Sequence, residues 1–164
     1  MQQEKPKICV LDTNLLVDDP EAINNFEEND VWLHGAVFEE LDGLKRKPDK
    51  AYDARAAIRY INEYAEKGWL NDGVPTPGGG KLFVGFTLDS EFDLLPVGLE
   101  KNNDNRMILL AKKLQMANPD RQVIFVSNDI APRSKANACR IFSEPYKHNL
   151  IDKIYTGTKI IDLV

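Results

Sequence analysis

The chain has 164 residues, of which 43% are hydrophobic, and a formal net charge of −5 at pH 7. This length and composition predict a single domain over residues 1–164 with a substantial hydrophobic core. The negative charge argues against a protein that coats nucleic acid through a basic surface, since phosphate contacts require Lys and Arg. An enzyme acting on nucleic acid stays compatible with this charge if its carboxylates gather at one site that divalent cations neutralise.

Nothing in the sequence indicates export or membrane insertion. No apolar run is long enough to span a bilayer, and residues 1–7 are too polar for a signal peptide. Cys9 and Cys139 fall in a predicted strand and a predicted helix, where we expect buried hydrophobic residues and not a disulfide or metal pair. A reduced, cytoplasmic setting is therefore expected.

The first predicted strand ends in a polar triplet. Residues 8–11 are apolar without interruption, which is typical of a fully buried strand, and Asp12, Thr13 and Asn14 follow at once. Ligands of open parallel sheets bind outside the carboxyl ends of the strands. Asp12 is therefore the first candidate site residue.

Short strands and amphipathic helices are expected to alternate through the first half of the chain. Residues 15–17 continue the apolar run, and a turn follows at Asp18-Asp19-Pro20. The pattern then predicts a short helix over 21–26, a strand over 31–34, a helix over 37–47 that Pro48 ends, and a helix over 52–67.

The second half begins with a loop and hairpin excursion over residues 71–100. It comprises a predicted loop over 71–80, a strand over 81–86 and a surface segment over 87–98. We then expect a helix over 102–118, a strand over 123–126, a helix over 130–139, a strand at 141–142, and a tail or linker start over about 145–164 with a candidate edge strand at 159–164. Buried strands that alternate with helices predict an α/β fold, three-layer α/β/α with a mainly parallel central sheet.

Four acidic residues are candidates for one metal site. Asp12 and Asp129 follow the two most continuous buried strands, and Glu40 and Asp104 lie in the opening turns of two helices. If all four elements belong to one doubly wound sheet, these carboxylates meet at one edge, where their mutual repulsion requires compensation. Hard oxygen ligands suit Mg²⁺ or Mn²⁺, and two such ions can hydrolyse a phosphodiester.

Polar and basic residues extend this candidate site. Thr13, Asn14, Ser127 and Asn128 flank the strand-end acids and are expected to orient them or to touch substrate. Arg55 and Arg59, taken singly, are most simply solvated side chains, but together with Lys45-Arg46-Lys47 and Lys50 they form the only basic concentration of the first half. The residues expected to face phosphate are Lys45, Arg46, Arg55, Arg59 and Arg133.

Four motifs, in order along the chain, resemble those of PIN-domain nucleases. They are Val10-Leu11-Asp12-Thr13-Asn14, Val37-Phe38-Glu39-Glu40-Leu41, Asn103-Asp104-Asn105-Arg106-Met107 and Val126-Ser127-Asn128-Asp129. The chain is most similar to the PIN domain at the front of PhoH-like proteins, in which a P-loop ATPase follows. Residues 26–31 and Tyr155-Thr156-Gly157 resemble that subgroup as well.

The resemblance implies an endoribonuclease that uses Mg²⁺ or Mn²⁺ to cleave single-stranded RNA, leaving a 5′-phosphate and a 3′-hydroxyl. Asp12, Glu40, Asp104 and Asp129 match the metal-binding acids, although Glu39 can be aligned in place of Glu40. Pro132 departs from the subgroup, which tends to have a larger apolar residue there. Family analogy also implies a homo-oligomer, and the chain ends where the ATPase would begin, so we expect an excised domain or a stand-alone relative.

Two other functions stay open at this point. A non-catalytic PIN module would bind RNA or a partner protein, although degenerate modules usually lack some of the acids. The toxin of a toxin–antitoxin pair would have its acidic pocket covered by a partner peptide, for which the sequence offers no sign. A haloacid-dehalogenase phosphatase fits less well, because it needs a second Asp at the position of Asn14. A receiver domain also fits less well, because it needs a phosphorylatable Asp and a late Lys, and no such pair is evident in this sequence.

Overall fold

The computed structural model describes residues 5–146, which form one six-stranded sheet in the order β3-β4-β2-β1-β5-β6. The strands are β1 (Ile8–Leu11), β2 (Asp30–His34), β3 (Val74–Pro75), β4 (Lys81–Gly85), β5 (Val123–Val126) and β6 (Phe142–Glu144). The α-helices are α1 (Thr13–Asp18), α2 (Ala36–Leu44), α3 (Ala51–Ala65), α4 (Asn103–Ala117) and α5 (Ile130–Ala138). Two 3₁₀ helices cover Ala22–Asn25 and Asp89–Leu94.

The sheet is parallel except for the β3–β4 pair, and helices cover both of its faces. Side chains of β1 alternate between two cores, because successive residues of a strand point to opposite faces. Cys9 and Leu11 pack with residues of α1, α2 and α3. Ile8 and Val10 pack with residues of α4 and α5. The predicted three-layer α/β/α fold with a mainly parallel sheet is therefore confirmed.

Several element predictions were wrong in detail. The apolar residues 15–17 belong to α1, a helix of six residues that is too short for its periodicity to show in the sequence. The predicted helix over 37–47 ends at Leu44, and the amides of Arg46 and Lys47 then donate to carbonyls three residues earlier, as in turns. The predicted loop over 71–80 contains β3, and the last strand is Phe142–Glu144 instead of 141–142.

The surface segment over 87–98 is more ordered than its sequence pattern predicts. It contains the 3₁₀ helix Asp89–Leu94, and Phe92 and Leu95 are buried against the core under α4. Its two buried side chains are too few to produce a period that could be recognised in the sequence. The tail interpretation beyond Tyr146, the edge strand at 159–164 and the Tyr155-Thr156-Gly157 motif lie outside the described residues.

Both cysteines lie in the core, as expected from the sequence. Burial raises the pKa of the Cys9 thiol to about 12, so it stays protonated and inert at neutral pH. Among residues 5–146, no helix combines the length and the apolar character needed to cross a membrane.

Candidate active site

Asp12 lies at the carboxyl edge of the sheet, directly beside the end of β5. The parallel pairing of Leu11 with Val126 continues one step further, because the Asp12 amide donates to the Val126 carbonyl at 3.0 Å. The hydroxyl of the fully buried Ser127 then donates to Asp12 Oδ2 at 2.8 Å. Ser127 therefore fixes the orientation of the Asp12 carboxylate.

Thr13 and Glu40 connect α1 with α2 across the same edge. The Thr13 hydroxyl donates to Glu40 Oε1 at 2.5 Å and also contacts Met107 Sδ at 3.7 Å. Glu39 points elsewhere: it lines a separate surface pocket with Phe38. The structure thus separates the two adjacent glutamates, and Glu40 is the one beside Asp12.

An open pocket of about 340 Å³ collects most of the candidate residues. It is lined by Asp12, Thr13, Asn14, Glu40, Gly43, Leu44, Lys47 and Asp104. Asp129 borders the same cluster, since Asn14 Nδ2 donates to Asp129 Oδ2 at 3.2 Å and the Asp129 amide donates to Ser127 Oγ at 3.1 Å. The four acids predicted from the sequence therefore gather at one edge of the sheet.

These carboxylates are not used to cap the helices that follow them. Asp12 and Asp129 occupy the N-cap positions of α1 and α5, yet neither side chain makes a capping hydrogen bond. Asn102 caps α4, where its side-chain oxygen accepts the Asn105 amide at 2.9 Å, so Asp104 is free of that role. A capping hydrogen bond therefore does not explain Asp12, Asp104 or Asp129, although Asp104 lies in the first turn of α4.

The pocket penalises negative charge. Burial raises the pKa of Asp12, whose side chain is only 7% exposed, and the charges of Asp104 and Asp129 raise it further against the opposing Ser127 hydrogen bond. Burial likewise raises the pKa of Glu40, with Asp104 and Asp12 adding to the effect and the Thr13 hydroxyl opposing it. Within residues 5–146, none of the four acids forms an ion pair with Lys or Arg.

The donor set fits a hard divalent cation. All four candidates are carboxylates, which Mg²⁺ and Mn²⁺ prefer, and a bound cation would offset the charges that raise the pKa of Asp12 and Glu40. In the part of the chain that the structure describes, no three His, Cys, Asp or Glu side chains stand close enough to form a ready-made metal cage. A cation here would therefore be completed by water or substrate oxygens, as is usual for Mg²⁺.

The basic residues expected to face phosphate differ in their position relative to the acidic pocket, which the sequence did not show. Lys45 is paired with Asp42 at 2.7 Å, and Arg133 Nε donates to the Asp129 carbonyl at 3.4 Å. Lys47 lines the acidic pocket, whereas its neighbour Arg46 and the two exposed arginines of α3, Arg55 and Arg59, are absent from the pocket lining.

Lys47 is the residue that sequence reasoning missed. Three basic residues in a row carried no signal for which one faces the acids, because this depends on the turn between α2 and α3. The Asn128 side chain, expected near the acids, instead accepts the Tyr146 amide at 2.8 Å. Pro132, the departure from the subgroup pattern, lies inside α5, which begins at Ile130.

A model of the PIN domain matches residues 9–147. Protein PhoH2 of Bacillus subtilis is 37% identical over 161 residues, covering 93% of this chain and 36% of the relative. Protein PhoH2 of Mycolicibacterium smegmatis is 30% identical over 167 residues, covering 99% of this chain and 38% of the relative. The chain thus spans little more than a third of the length of these relatives.

One solved structure gives a comparison of the fold alone. A domain of a functionally unknown protein from Methanocaldococcus jannaschii superposes with a TM-score of 0.50 at 15% identity, covering 96% of this chain and 98% of that domain. Identity at this level supports a shared architecture and says nothing about a shared reaction.

Proposed function

The chain belongs to the PIN domain family, whose members are generally nucleases, and on that premise we propose that it is a Mg²⁺- or Mn²⁺-dependent endoribonuclease. Its proposed reaction is hydrolysis of phosphodiester bonds in single-stranded RNA. The substrate and the metal are proposals drawn from the acidic pocket and the resemblance of its motifs.

One observation carries this proposal: four gathered carboxylates are left without a cationic partner among residues 5–146 and without a capping role. Asp12 is buried and Glu40 is partly buried, and a fold that needed these two acids only for stability would pair them with Lys or Arg, because burying an uncompensated carboxylate costs free energy. Asp104 and Asp129 are exposed, and their charges act on the buried Asp12. Their uncompensated charge is explained if the working protein supplies a cation at this edge.

Asp12, Glu40, Asp104 and Asp129 would hold the metal ions, which when bound activate a water and stabilise the departing oxygen. The Ser127 hydroxyl donates to one oxygen of the Asp12 carboxylate, and the Thr13 hydroxyl donates to one oxygen of Glu40. These hydroxyls therefore orient the ligands without neutralising them.

Lys47 gives the pocket a cation on the wall it shares with Glu40. A lysine ammonium is a compact donor suited to a phosphate oxygen. We assign it to the RNA phosphate, where it would draw the negatively charged backbone into a pocket that is otherwise acidic.

The parent assembly is also a matter of proposal. From the resemblance to PhoH-like proteins we propose a longer parent chain with a P-loop ATPase domain, and from family analogy a homo-oligomer. Size-exclusion chromatography with light scattering tests the oligomer, and a strict monomer at high concentration would contradict it. We also propose a cytoplasmic location, consistent with the buried free thiols.

A matched pair of variants tests the proposed reaction. Purified protein is incubated with a labelled single-stranded RNA and Mn²⁺, and Glu40→Gln is compared with Glu39→Gln, the adjacent glutamate that faces away from the pocket. We expect Glu40→Gln to lower the cleavage rate at least about 100-fold, since the metal site supplies several kcal/mol of stabilisation. Glu39→Gln is expected to cleave like the wild type.

Two outcomes would contradict the proposal. The first is equal activity of Glu40→Gln and the wild type, and the second is cleavage that persists undiminished in EDTA. An inert wild-type protein that still binds RNA would favour the binding-module alternative.

A further inference from the structure

An exposed aromatic ring lies at the same edge of the sheet as the acidic pocket, and neither the core nor the metal chemistry accounts for it. Phe86 directly follows β4, and its side chain is 69% exposed. Leu88 and Val97, further along the same excursion, are exposed as well. Exposing a phenylalanine forgoes the free energy that its burial would contribute, so a binding role is the natural question.

Strand register places Phe86 close to the level of Asp12. Val10 of β1 pairs with Trp32, and His34 of β2 pairs with Gly85 of β4, so Asp12 is level with Gly85 across three neighbouring strands. The ladder continues beyond His34, because the amide of the next residue donates to the Gly85 carbonyl at 2.8 Å. Two strand spacings then separate the backbones carrying Phe86 and Asp12, roughly 10 Å.

The Phe86 ring is held in a fixed position although much of it is exposed. It lies so close over Gly35 that a Cβ at that position would meet a ring carbon at 2.0 Å. It also packs against His34 in an edge arrangement, with the ring centroids 6.3 Å apart. Two hydrogen bonds hold the His34 ring: Nε2 lies 2.8 Å from the Thr87 hydroxyl, and Nδ1 accepts the Ala36 amide at 2.9 Å. The absence of a side chain at Gly35 lets the ring lie this close to the backbone.

Helix α2 arranges three features of the site in order. Phe86 packs at its beginning, over Gly35, while Glu40 lies in its middle and Lys47 just beyond its end. At a rise of about 1.5 Å per residue, the nine residues of α2 span roughly 13 Å between the ring and the turn that carries Lys47. An extended single strand that follows α2 would meet an aromatic ring, then the acids, then a cation.

We propose that Phe86 is a stacking platform for a base of single-stranded RNA, on the nucleotides that flank the phosphate bound at the acidic pocket. This inference rests on the proposed function for its substrate. Base stacking on an aromatic side chain needs an exposed ring and tolerates any base, because every base has a π-face. A ring already fixed by Gly35 and His34 loses little conformational entropy on binding.

The test measures equilibrium binding of a fluorescein-labelled single-stranded RNA by anisotropy, with Ca²⁺ in place of Mn²⁺. Phe86→Leu keeps an apolar side chain over Gly35 but removes the π-face, and Phe86→Trp restores one. Phe142→Leu is the matched control, because Phe142 is 62% exposed on β6, four strands away. Thermal melts confirm that each variant is folded.

Phe86→Leu is expected to raise the Kd between about 5-fold and 100-fold, the range for loss of one stacked base. Phe86→Trp and Phe142→Leu should stay within about twofold of the wild type. On an abasic oligoribonucleotide the difference between Phe86→Leu and the wild type should vanish, which a purely structural role of Phe86 would not produce.

Equal affinity of Phe86→Leu and the wild type for the base-containing RNA would overturn the inference, and so would an equal loss on the abasic strand. The outcome is separable from the proposed reaction. Cleavage that depends on Glu40 together with unchanged binding of Phe86→Leu would remove only the stacking platform. Base-dependent binding without any cleavage would keep the platform and remove the nuclease.

Discussion

The two ends of the central sheet treat their carboxylates in opposite ways. At the amino end, Asp30 forms an ion pair with Arg121 at 3.0 Å, and Asp120 is paired with Lys5. At the carboxyl end, the pocket acids are held by Ser127 and Thr13 hydroxyls, and no ion pair to them occurs among residues 5–146.

This difference indicates where the fold gives up stability. Because the pKa of Asp12 and of Glu40 is raised in the folded protein, their ionised forms favour unfolding at neutral pH, and the penalty is relieved as pH falls. At the amino end, the hydrogen bond and charge of Lys5 lower the pKa of Asp120. Stability sacrificed at one end of a sheet and preserved at the other is typical of a functional site.

The largest expected effect concerns His34, a buried base at the carboxyl end. Burial, helped by the charges of Arg106 and Lys113, lowers its pKa from 6.5 to about 4. Between pH 6.5 and about pH 4, His34 is protonated in the unfolded chain but neutral in the folded chain. Its contribution to the free energy of unfolding is therefore fully present above pH 6.5 and is lost as the pH falls to about 4. At about 1.4 kcal/mol per pKa unit the loss approaches roughly 3 kcal/mol.

Urea unfolding of the wild type and His34→Asn between pH 7.5 and 4 isolates this contribution. Asparagine keeps an acceptor for the Ala36 amide but does not titrate. The stability of the wild type relative to the variant should decrease by roughly 3 kcal/mol over the window. A difference that stays constant with pH would contradict the assignment.

The next largest effect is that of Mn²⁺ on stability. We expect Mn²⁺ to reverse which of the wild type and Asp12→Asn is the more stable. Without divalent cations, Asp12→Asn should be more stable than the wild type, because it removes a charge that the pocket penalises. With Mn²⁺ at 100 times its Kd, the wild type should gain about 2.7 kcal/mol and the variant much less. Thermal melts with EDTA and with Mn²⁺ measure both, and an unchanged order would count against the site.

Removing one orienting hydroxyl should have a smaller effect. Thr13→Val preserves the shape of the side chain but leaves Glu40 without its 2.5 Å hydrogen bond. We expect a 10- to 100-fold loss of Mn²⁺-dependent cleavage, the usual range for partners that hold metal ligands. The loss should appear in kcat or in Mn²⁺ affinity, whereas wild-type values of both would contradict the assigned role of Thr13.

The smallest effect belongs to the amino end. Asp30→Asn weakens the partly buried pair with Arg121 and should cost about 1–2 kcal/mol of stability. Cleavage should stay at the wild-type level, because the residue lies at the opposite end of the sheet. Denaturant unfolding and an RNA cleavage assay on the same preparation check both halves of this prediction, and lost cleavage in a folded variant would refute it.

The sequence predicted best those parts of the molecule in which local pattern and burial agree. Residues 8–11 and 123–126 are continuous apolar runs, and both are strands with these bounds. The polar triplets after them occupy the carboxyl edge of the sheet, as expected. This part of the site could be read in advance because a buried parallel strand fixes which residue emerges at its end.

The parts that the sequence missed depend on tertiary packing. β3 has two residues, Val74 and Pro75, and forms only because β4 offers an antiparallel partner. Lys47 enters the pocket through the turn after α2, which no periodicity describes. The surroundings of Phe86 are set by pairing between β2 and β4, so a lone exposed ring could not be recognised as part of the site.

The central claim is that the carboxyl-edge acids bind the metal ions. Its most direct measurement is anomalous diffraction at the manganese edge from crystals grown with Mn²⁺. The account predicts a peak about 2.1 Å from carboxylate oxygens of Asp12 and at least one of Glu40, Asp104 and Asp129. An active protein whose Mn²⁺ peaks lie only at other carboxylates, such as Asp30 or Asp120, would contradict it.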